Sequence, residues 1–328
     1  VVSATRSGPV DPHGATLDAV AEALGPRAHR HAPFGARTTY RVGGEAGLLV
    51  EAHSEEDLVA LHRALGAAAG FESVPVLVLG EGSNLLVAEA GFPGLVVRLG
   101  TGFDWVEIDG STVRAGGGAK LPVVARKSAV AGLHGLEWGV GIPGSVGGAL
   151  RMNAGGHGSD VAAVLDRYRL FDLTRGEGTE VPGECLAPGY RTSSVTDTDV
   201  VLWAQFSLQP GDRTKAEATV TDIVRWRRDN QPGGPNAGSV FVNPDGDSAG
   251  RLVDDAGLKG ARLGSAQVSP KHANFIQADR GGSADDVWRL LFHVRAEVLR
   301  RTGVALVPEV RMVGFGDQPS TSSGGAES

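Results

Sequence analysis

Apolar positions along this chain switch between two periods, and the switching sketches a mixed protein of helices and strands. Between Leu17 and Leu24 apolar residues recur at helical spacing and predict one short amphipathic helix, while the rest of the stretch through Ala32 reads as a mobile arm. From Thr38 to Leu99 the pattern runs strand, helix, strand. Leu48 to Ala52 predicts a strand; Ser54 with Asp57 three residues on predicts a capped helix start and an amphipathic run through Leu65. Val76 to Leu79 is a continuous apolar run, read as a buried strand that feeds the loop Gly80-Glu81-Gly82-Ser83-Asn84, and Leu95 to Leu99 is the next strand.

Beyond Gly100 the same reading continues. A hairpin is predicted around Asp109-Gly110, a helix from about Leu121 to Ala131, a long glycine-rich stretch, then strands over Tyr168–Leu173 and Val200–Leu208. A third unit opens near Thr214 with a helix through Arg228 that stops before Gln231-Pro232-Gly233-Gly234-Pro235. It closes with a helix from Ser283 to Arg301, which Gly303 ends. The expected organisation is an arm over 1–32, α+β units over 33–100, 101–212 and 213–315, and a disordered tail over 316–328.

Bulk composition narrows the function classes. A length of 328 residues, 41% hydrophobic and 21% charged, fits a folded chain of two or three domains. The net charge of −7 counts against binding duplex nucleic acid, although it leaves room for a local basic pocket. No apolar run is long enough to span a bilayer, and the first residues lack the apolar core of a secretory signal, so a cytoplasmic protein without membrane association is expected. Cys185 is the single cysteine and reads as a small filler residue; His272 has no second histidine at metal spacing, so no metal is assigned.

Glycine changes the picture most. There are 49, and many cluster, as in Gly116-Gly117-Gly118, Gly132 to Gly148, and Gly155-Gly156. One such loop alone is most simply a turn. Gly80-Glu81-Gly82-Ser83-Asn84 is not a Rossmann fingerprint, because no long helix opens directly after it. Two prolonged glycine loops, roughly sixty residues apart, point instead to two walls of one diphosphate cleft, where backbone amides approach the ligand closely.

The order of Thr39-Tyr40-Arg41-Val42-Gly43-Gly44, Gly80-Glu81-Gly82-Ser83-Asn84-Leu85, Ala115-Gly116-Gly117-Gly118, Gly135-Leu136-Glu137-Trp138, Ile142-Pro143-Gly144-Ser145-Val146-Gly147-Gly148 and Asn153-Ala154-Gly155 resembles the FAD-binding half of the UDP-N-acetylenolpyruvoylglucosamine reductase family. The resemblance covers about 36–314. It implies a vanillyl-alcohol-oxidase/PCMH-type fold, with two α+β subdomains gripping FAD and a C-terminal α+β substrate domain. It implies FAD bound without a covalent tether, against Arg41, Gly80, Glu81, Gly82, Ser83, Asn84, Leu85, Gly117, Gly118, Ile142, Pro143, Gly144, Ser145, Gly148, Ala149 and Asn153.

The family's catalytic residues fall on Tyr190-Arg191-Thr192-Ser193, Gly238-Ser239-Val240-Phe241 and Pro308-Glu309. Taken singly, Arg191 reads equally as a structural ion pair, Ser239 as a turn residue and Glu309 as a cap or surface carboxylate. By resemblance Arg191 holds the enolate-like intermediate, Ser239 is the proton donor to carbon, and Glu309 orients a hydrogen bond or assists proton delivery. Tyr190, Arg227, Asn243, Lys259 and His272 are the implied contacts to the sugar nucleotide, although for these residues solvated surface charge is the plain alternative. The implied reaction has NADPH reduce the flavin and leave. UDP-N-acetylglucosamine enolpyruvate then takes hydride on its methylene carbon and a proton beside its carboxylate, giving UDP-N-acetylmuramate for peptidoglycan.

The 48 residues from Arg191 to Ser239 are too few for the tyrosine-bearing loop of one subtype, so the chain resembles the second. Val242 stands where lysine is common and Thr192 where an acidic residue is common, which leaves a paralogue with another substrate as an alternative. A flavin oxidase of the same fold would want a base rather than a proton donor to carbon. A flavin-binding protein without turnover is the other rival. A monomer or weak dimer is expected.

Overall fold

The computed structural model of the chain describes residues 12–316. The first unit begins with helix α1 (Gly14–Leu24), which buries Leu17, Val20 and Leu24, and strand β1 (Ala28–Pro33), which pairs antiparallel with β2 (Glu45–Ala52). Residues 12–32 are therefore part of the fold and not an arm. The polar run His29-Arg30-His31 hid the strand: β1 is a sheet edge, held by its backbone ladder rather than by apolar side chains. Leu17 anchors α1 where Gly47 on β2 has no side chain, since a Cβ there would lie 2.8 Å from the Leu17 methyl. The remainder of the expected arm, and all but Gly316 of the expected disordered tail, lie outside the described residues.

Helix α2 (Glu55–Ala67) starts as its sequence asks. The Ser54 hydroxyl accepts from Asp57 N–H at 3.3 Å, and Glu55, Glu56 and Asp57 complement the helix dipole. Strands β3 (Val76–Leu79) and β5 (Phe92–Leu99) complete a sheet ordered β1-β2-β5-β3, with β2, β5 and β3 parallel. Between them β4 (Leu85–Val87) leaves that sheet.

The second unit is an antiparallel sheet packed by helices. In chain order it comprises β6 (Val106–Asp109), β7 (Thr112–Gly116), α3 (Leu121–Val130), β8 (Leu133–His134), α4 (Val146–Arg151), β9 (Gly155–Gly156), β10 (Ser159–Asp160), β11 (Leu165–Asp172), β12 (Glu177–Pro182), β13 (Asp199–Ser207), β14 (Gln209–Pro210) and α5 (Arg213–Asn230). The large sheet runs β12-β11-β13-β7-β6. Helix α5 corrects the expected boundary near Thr214. Its Ile223 is buried in one core with Leu121, Val124 and Val140, so the helix belongs to the second unit. The sequence pattern gave the extent of α5 but not the surface it covers.

The third unit holds α6 (Ala249–Asp255), the small sheet β15 (Arg262–Leu263), β16 (Ala266–Val268) and β17 (Ile276–Ala278), and α7 (Ala284–Thr302). Helix α7 ends as predicted at Gly303, at φ 74°, and its start is capped by the Ser283 hydroxyl, which accepts from Asp285 N–H. Its residues Val287, Leu290, Leu291, Val294 and Val298 share a core with Tyr40, Val42 and Leu86 from the first unit. The chain then returns as β18 (Arg311–Val313), which pairs in parallel with β4. First and third units are thus joined by a ladder and a common core.

Candidate active site

The two glycine loops face one another. A Cβ on Gly80 would collide with the Ser145 hydroxyl oxygen, and one on Gly144 would stand 3.3 Å from that of Ser83. Ser145 caps α4 through Gly148 N–H at 3.2 Å, and Gly147 N–H donates to Gly117 O at 2.9 Å, which seats the second loop on the sheet. The walls enclose a cleft of about 1080 Å³, at the upper end of what one small-molecule site needs. Of the residues implied for the cofactor, Gly80 through Leu85, Gly117, Gly118, Ile142, Pro143, Gly144, Ser145, Gly148 and Ala149 line it.

Arg41 and Asn153 stand outside that lining. The Asn153 amide donates to Asp160 Oδ2 at 3.2 Å, and its carbonyl oxygen accepts from Ala162 N–H at 3.1 Å, so it pins the β9–β10 hairpin from behind. Arg41 is exposed at φ 58°, where its own amide closes a turn onto Thr38.

At the far end of the cleft the serine segment runs beside the C-terminal segment. Phe241 bridges Pro308, Val242 N–H donates to Val307 O at 2.9 Å, and Glu309 N–H donates to Val240 O at 2.8 Å. The Asn274 side chain, 3% exposed, clamps Phe241 from the other side by accepting its N–H at 3.0 Å and donating to its carbonyl at 2.8 Å. Ser239 is thereby held at the cleft wall. Its hydroxyl has no hydrogen-bond partner among the described residues, and so is uncommitted.

Arg191 and Glu309 also line this end, with Arg191 Nε donating to Glu309 Oε1 at 2.7 Å and Arg191 Nη1 to Gly155 O at 3.4 Å. Arg191 sits at φ 55°, a conformation that an arginine adopts only when its surroundings impose it. Burial pushes the Glu309 carboxyl above its ordinary range, against the opposing pull of Arg191 and Tyr190. Asn84 on the first glycine loop donates to Glu309 O at 3.0 Å, and Arg311 N–H donates to Asn84 O at 3.0 Å. The β4–β18 pairing therefore carries Glu309 to the cofactor loop.

The implied substrate residues divide. Arg227 lines the cleft, where burial lowers its pKa, while Tyr190 is outside the lining, its ring 5.6 Å from the Arg191 guanidinium carbon. Burial, and then the Glu309 charge, raise the Tyr190 phenol. Asn243, Lys259 and His272 are outside the lining. Asn243 accepts Ala249 N–H at 3.0 Å at the start of α6, Lys259 pairs with Asp254 at 2.9 Å, and His272 packs edge-on to Phe275, which does line the cleft. Burial, and secondarily Lys259, lower the His272 pKa.

Sequence reasoning missed the Asn274 clamp and a charged seam. Asp197 accepts from Arg151 at 3.1 Å and from both terminal nitrogens of Arg311 at 2.9 and 2.8 Å, and all three line the cleft. Burial pushes Asp197 up, but the two arginines outweigh it and its pKa is lowered. A polar Asn274 between Ala273 and Phe275 was the available signal for the clamp; the seam joins residues too far apart in sequence to leave one.

Residues 46–181 match a family model described as FAD binding domain. With the glycine-walled cleft and the cation and carboxyl at its end, this makes the protein an FAD-dependent oxidoreductase of the α+β class. Residues 230–313 match the C-terminal domain of UDP-N-acetylenolpyruvoylglucosamine reductase. UDP-N-acetylenolpyruvoylglucosamine reductase 2 of Symbiobacterium thermophilum is 44% identical over 88% of this chain and 92% of its own. The reductase of Rubrobacter xylanophilus is 40% identical over 90% and 99%. The crystal structure of the Thermus caldophilus enzyme matches with a TM-score of 0.76 at 34% identity, covering 88% of this chain and 99% of that one. The chain belongs to the UDP-N-acetylenolpyruvoylglucosamine reductase family.

Proposed function

We propose that this protein reduces UDP-N-acetylglucosamine enolpyruvate to UDP-N-acetylmuramate, using NADPH, as a step of peptidoglycan precursor and cell-wall synthesis. The observation that carries the reading is the Arg191–Glu309 pair at 2.7 Å beside the uncommitted Ser239 hydroxyl, at the end of a glycine-walled cleft. The cleft fits FAD: Gly80, Gly82, Gly117, Gly118, Gly144, Gly147 and Gly148 all line it, so its walls are bare backbone that a diphosphate can approach. When bound, FAD supplies the two-electron hydride chemistry between NADPH and the methylene carbon of the substrate.

The chain's own groups do the rest. As hydride reaches the methylene carbon, the double-bond pair moves to the carbon beside the carboxylate. Arg191, a cation that keeps its proton, holds the resulting enolate charge. The Ser239 hydroxyl gives its proton to that carbon and is reprotonated from solvent, a transfer made downhill by the basicity of the carbanion. Glu309 fixes the Arg191 fork through the Nε–Oε1 hydrogen bond. Tyr190 and Arg227 bind the sugar nucleotide. The protein works in the cytoplasm as a monomer or weak dimer, and no helix among the described residues is long and apolar enough to cross a membrane.

The test is an anaerobic stopped-flow mix of NADPH-reduced protein with the enolpyruvyl sugar nucleotide, following flavin absorbance. Reoxidation in a single turnover is expected for the native chain. Ser239→Ala should accept hydride from NADPH normally yet reoxidise more slowly by about 10² or more, the range of general acid catalysis. Ser239→Cys should recover part of the rate, with a solvent isotope effect in heavy water. Normal reoxidation by the alanine variant removes Ser239 from the mechanism. A native protein that passes electrons only to oxygen is an oxidase.

A further inference from the structure

The β9–β10 hairpin turns at His157-Gly158, both at positive φ, 52° and 86°. Such a mirror-type turn suits Gly158 but strains His157, so something else holds the histidine there. That contact is Trp226 on α5, which meets the His157 ring edge to face at a centroid distance of 5.2 Å and an interplanar angle of 86°. Trp226 is 47% exposed and lines the cleft. An indole braced against an imidazole and open to a ligand cleft is a costly arrangement to leave facing only water.

Its neighbour carries a matching oddity. The half-buried guanidinium of Arg227 donates through Nε to Gln231 Oε1 at 2.7 Å, while its terminal nitrogens have no partner among the described residues. A half-buried cation without a counter-charge is a docking point for an anion. The glycine wall touches both residues, because a Cβ on Gly141 would lie 3.3 Å from Arg227 Cδ and 3.8 Å from His157 Nε2. A flat apolar ring and a guanidinium with unpartnered terminal nitrogens thus line one cleft.

We propose that Trp226, positioned by His157, is the stacking platform for a nucleobase, and that Arg227 takes a phosphate of the same ligand. The ligand class is a nucleoside diphosphate arm. This rests on the reductase reading, under which the sugar nucleotide and the electron donor each carry such an arm, so two sources share one chemistry.

The experiment titrates two probes, UDP and 2′-phospho-ADP-ribose, into FAD-loaded protein by calorimetry, for the native chain, Trp226→Ala, Trp226→Phe and His157→Ala. Trp226→Ala should weaken at least one probe by roughly tenfold to a hundredfold, the range of losing one base–aromatic stack. Trp226→Phe should restore most of it, and His157→Ala should lose a smaller part. The probe affected identifies the source: UDP for the sugar nucleotide, the adenosine derivative for the donor. Unchanged affinity for both probes in Trp226→Ala overturns the platform, and so does loss of flavin from that variant, which would make the indole structural. Failure of the reductase reading is seen separately, in native protein that does not reoxidise with the enolpyruvyl substrate.

Discussion

At the scale of single residues the site turns on Glu309, whose carboxyl is buried against a cation yet held above its ordinary pKa. Burial is the larger influence, and the Arg191 and Tyr190 hydrogen bonds only oppose it. The sign of its effect on stability follows. A carboxyl with a raised folded pKa contributes stability in full below its unfolded value, near 4.5, and loses that contribution as pH rises through the folded pKa. Glutamine is neutral throughout. In urea melts of the flavoprotein at several pH values, the stability of the native chain minus that of Glu309→Gln should therefore fall from pH 4.5 upward and then level off. A difference that grows with pH would mean that the Arg191 pair outweighs burial.

At the scale of elements, the glycine loops work because backbone meets backbone. Gly117 N–H donates to Leu202 O at 2.7 Å, and a Cβ there would collide with Val201 O and stand 2.9 Å from Val201 C. Neither neighbour is the end of a flexible side chain, so strand β13 itself must move. Gly117→Ala should cost about 1–3 kcal/mol as an overpacking change and lower flavin occupancy, because the same shift displaces Gly147 and α4. Gly66, near the end of α2, has open space where a Cβ would stand, with nothing within 4 Å, and an ordinary φ. Gly66→Ala should raise stability by roughly 0.5–1 kcal/mol with flavin content unchanged. Thermal melts with flavin absorbance check both, and equal behaviour of the two variants would count against a packing role for Gly117.

At the scale of the whole molecule, the site exists only when three units close on one another. The first unit supplies Gly80 to Leu85, the second Arg191 and the second glycine loop, and the third Ser239 and Glu309. A ligand bound across such a seam stabilises the assembled state by mass action, by about 2.7 kcal/mol at a hundredfold excess over its Kd. Added FAD should therefore raise the melting temperature of flavin-depleted protein in a concentration-dependent way. Denaturation should release all yellow colour into the soluble fraction. Flavin that stays with the precipitate, or FMN in the supernatant, would contradict a noncovalent FAD site.

Much was legible before any fold was known. The Ser54 and Gly303 caps, the buried run Val76–Leu79, the Asp109-Gly110 hairpin and both glycine loops carry local signals, because caps, turns and apolar periods are set by neighbours within a few residues. The resemblance then pointed to cofactor residues most of which line one cleft, and to Arg191, Ser239 and Glu309, which line it too. What stayed open was every choice made by distant partners. Edge strand β1 has no apolar signature, α5 could not declare which core it covers, and the Arg151–Asp197–Arg311 seam and the Asn274 clamp join residues that meet only through tertiary packing. Tyr190, Asn243 and His272 share their motifs with cleft residues yet stand outside the lining, since a short motif gives spacing along the chain but not the direction of a side chain. Local stretches of chain thus settle the elements and the chemistry on offer. Which of those groups share one cleft follows from the burial of apolar faces against one another, a long-range condition that no local stretch contains.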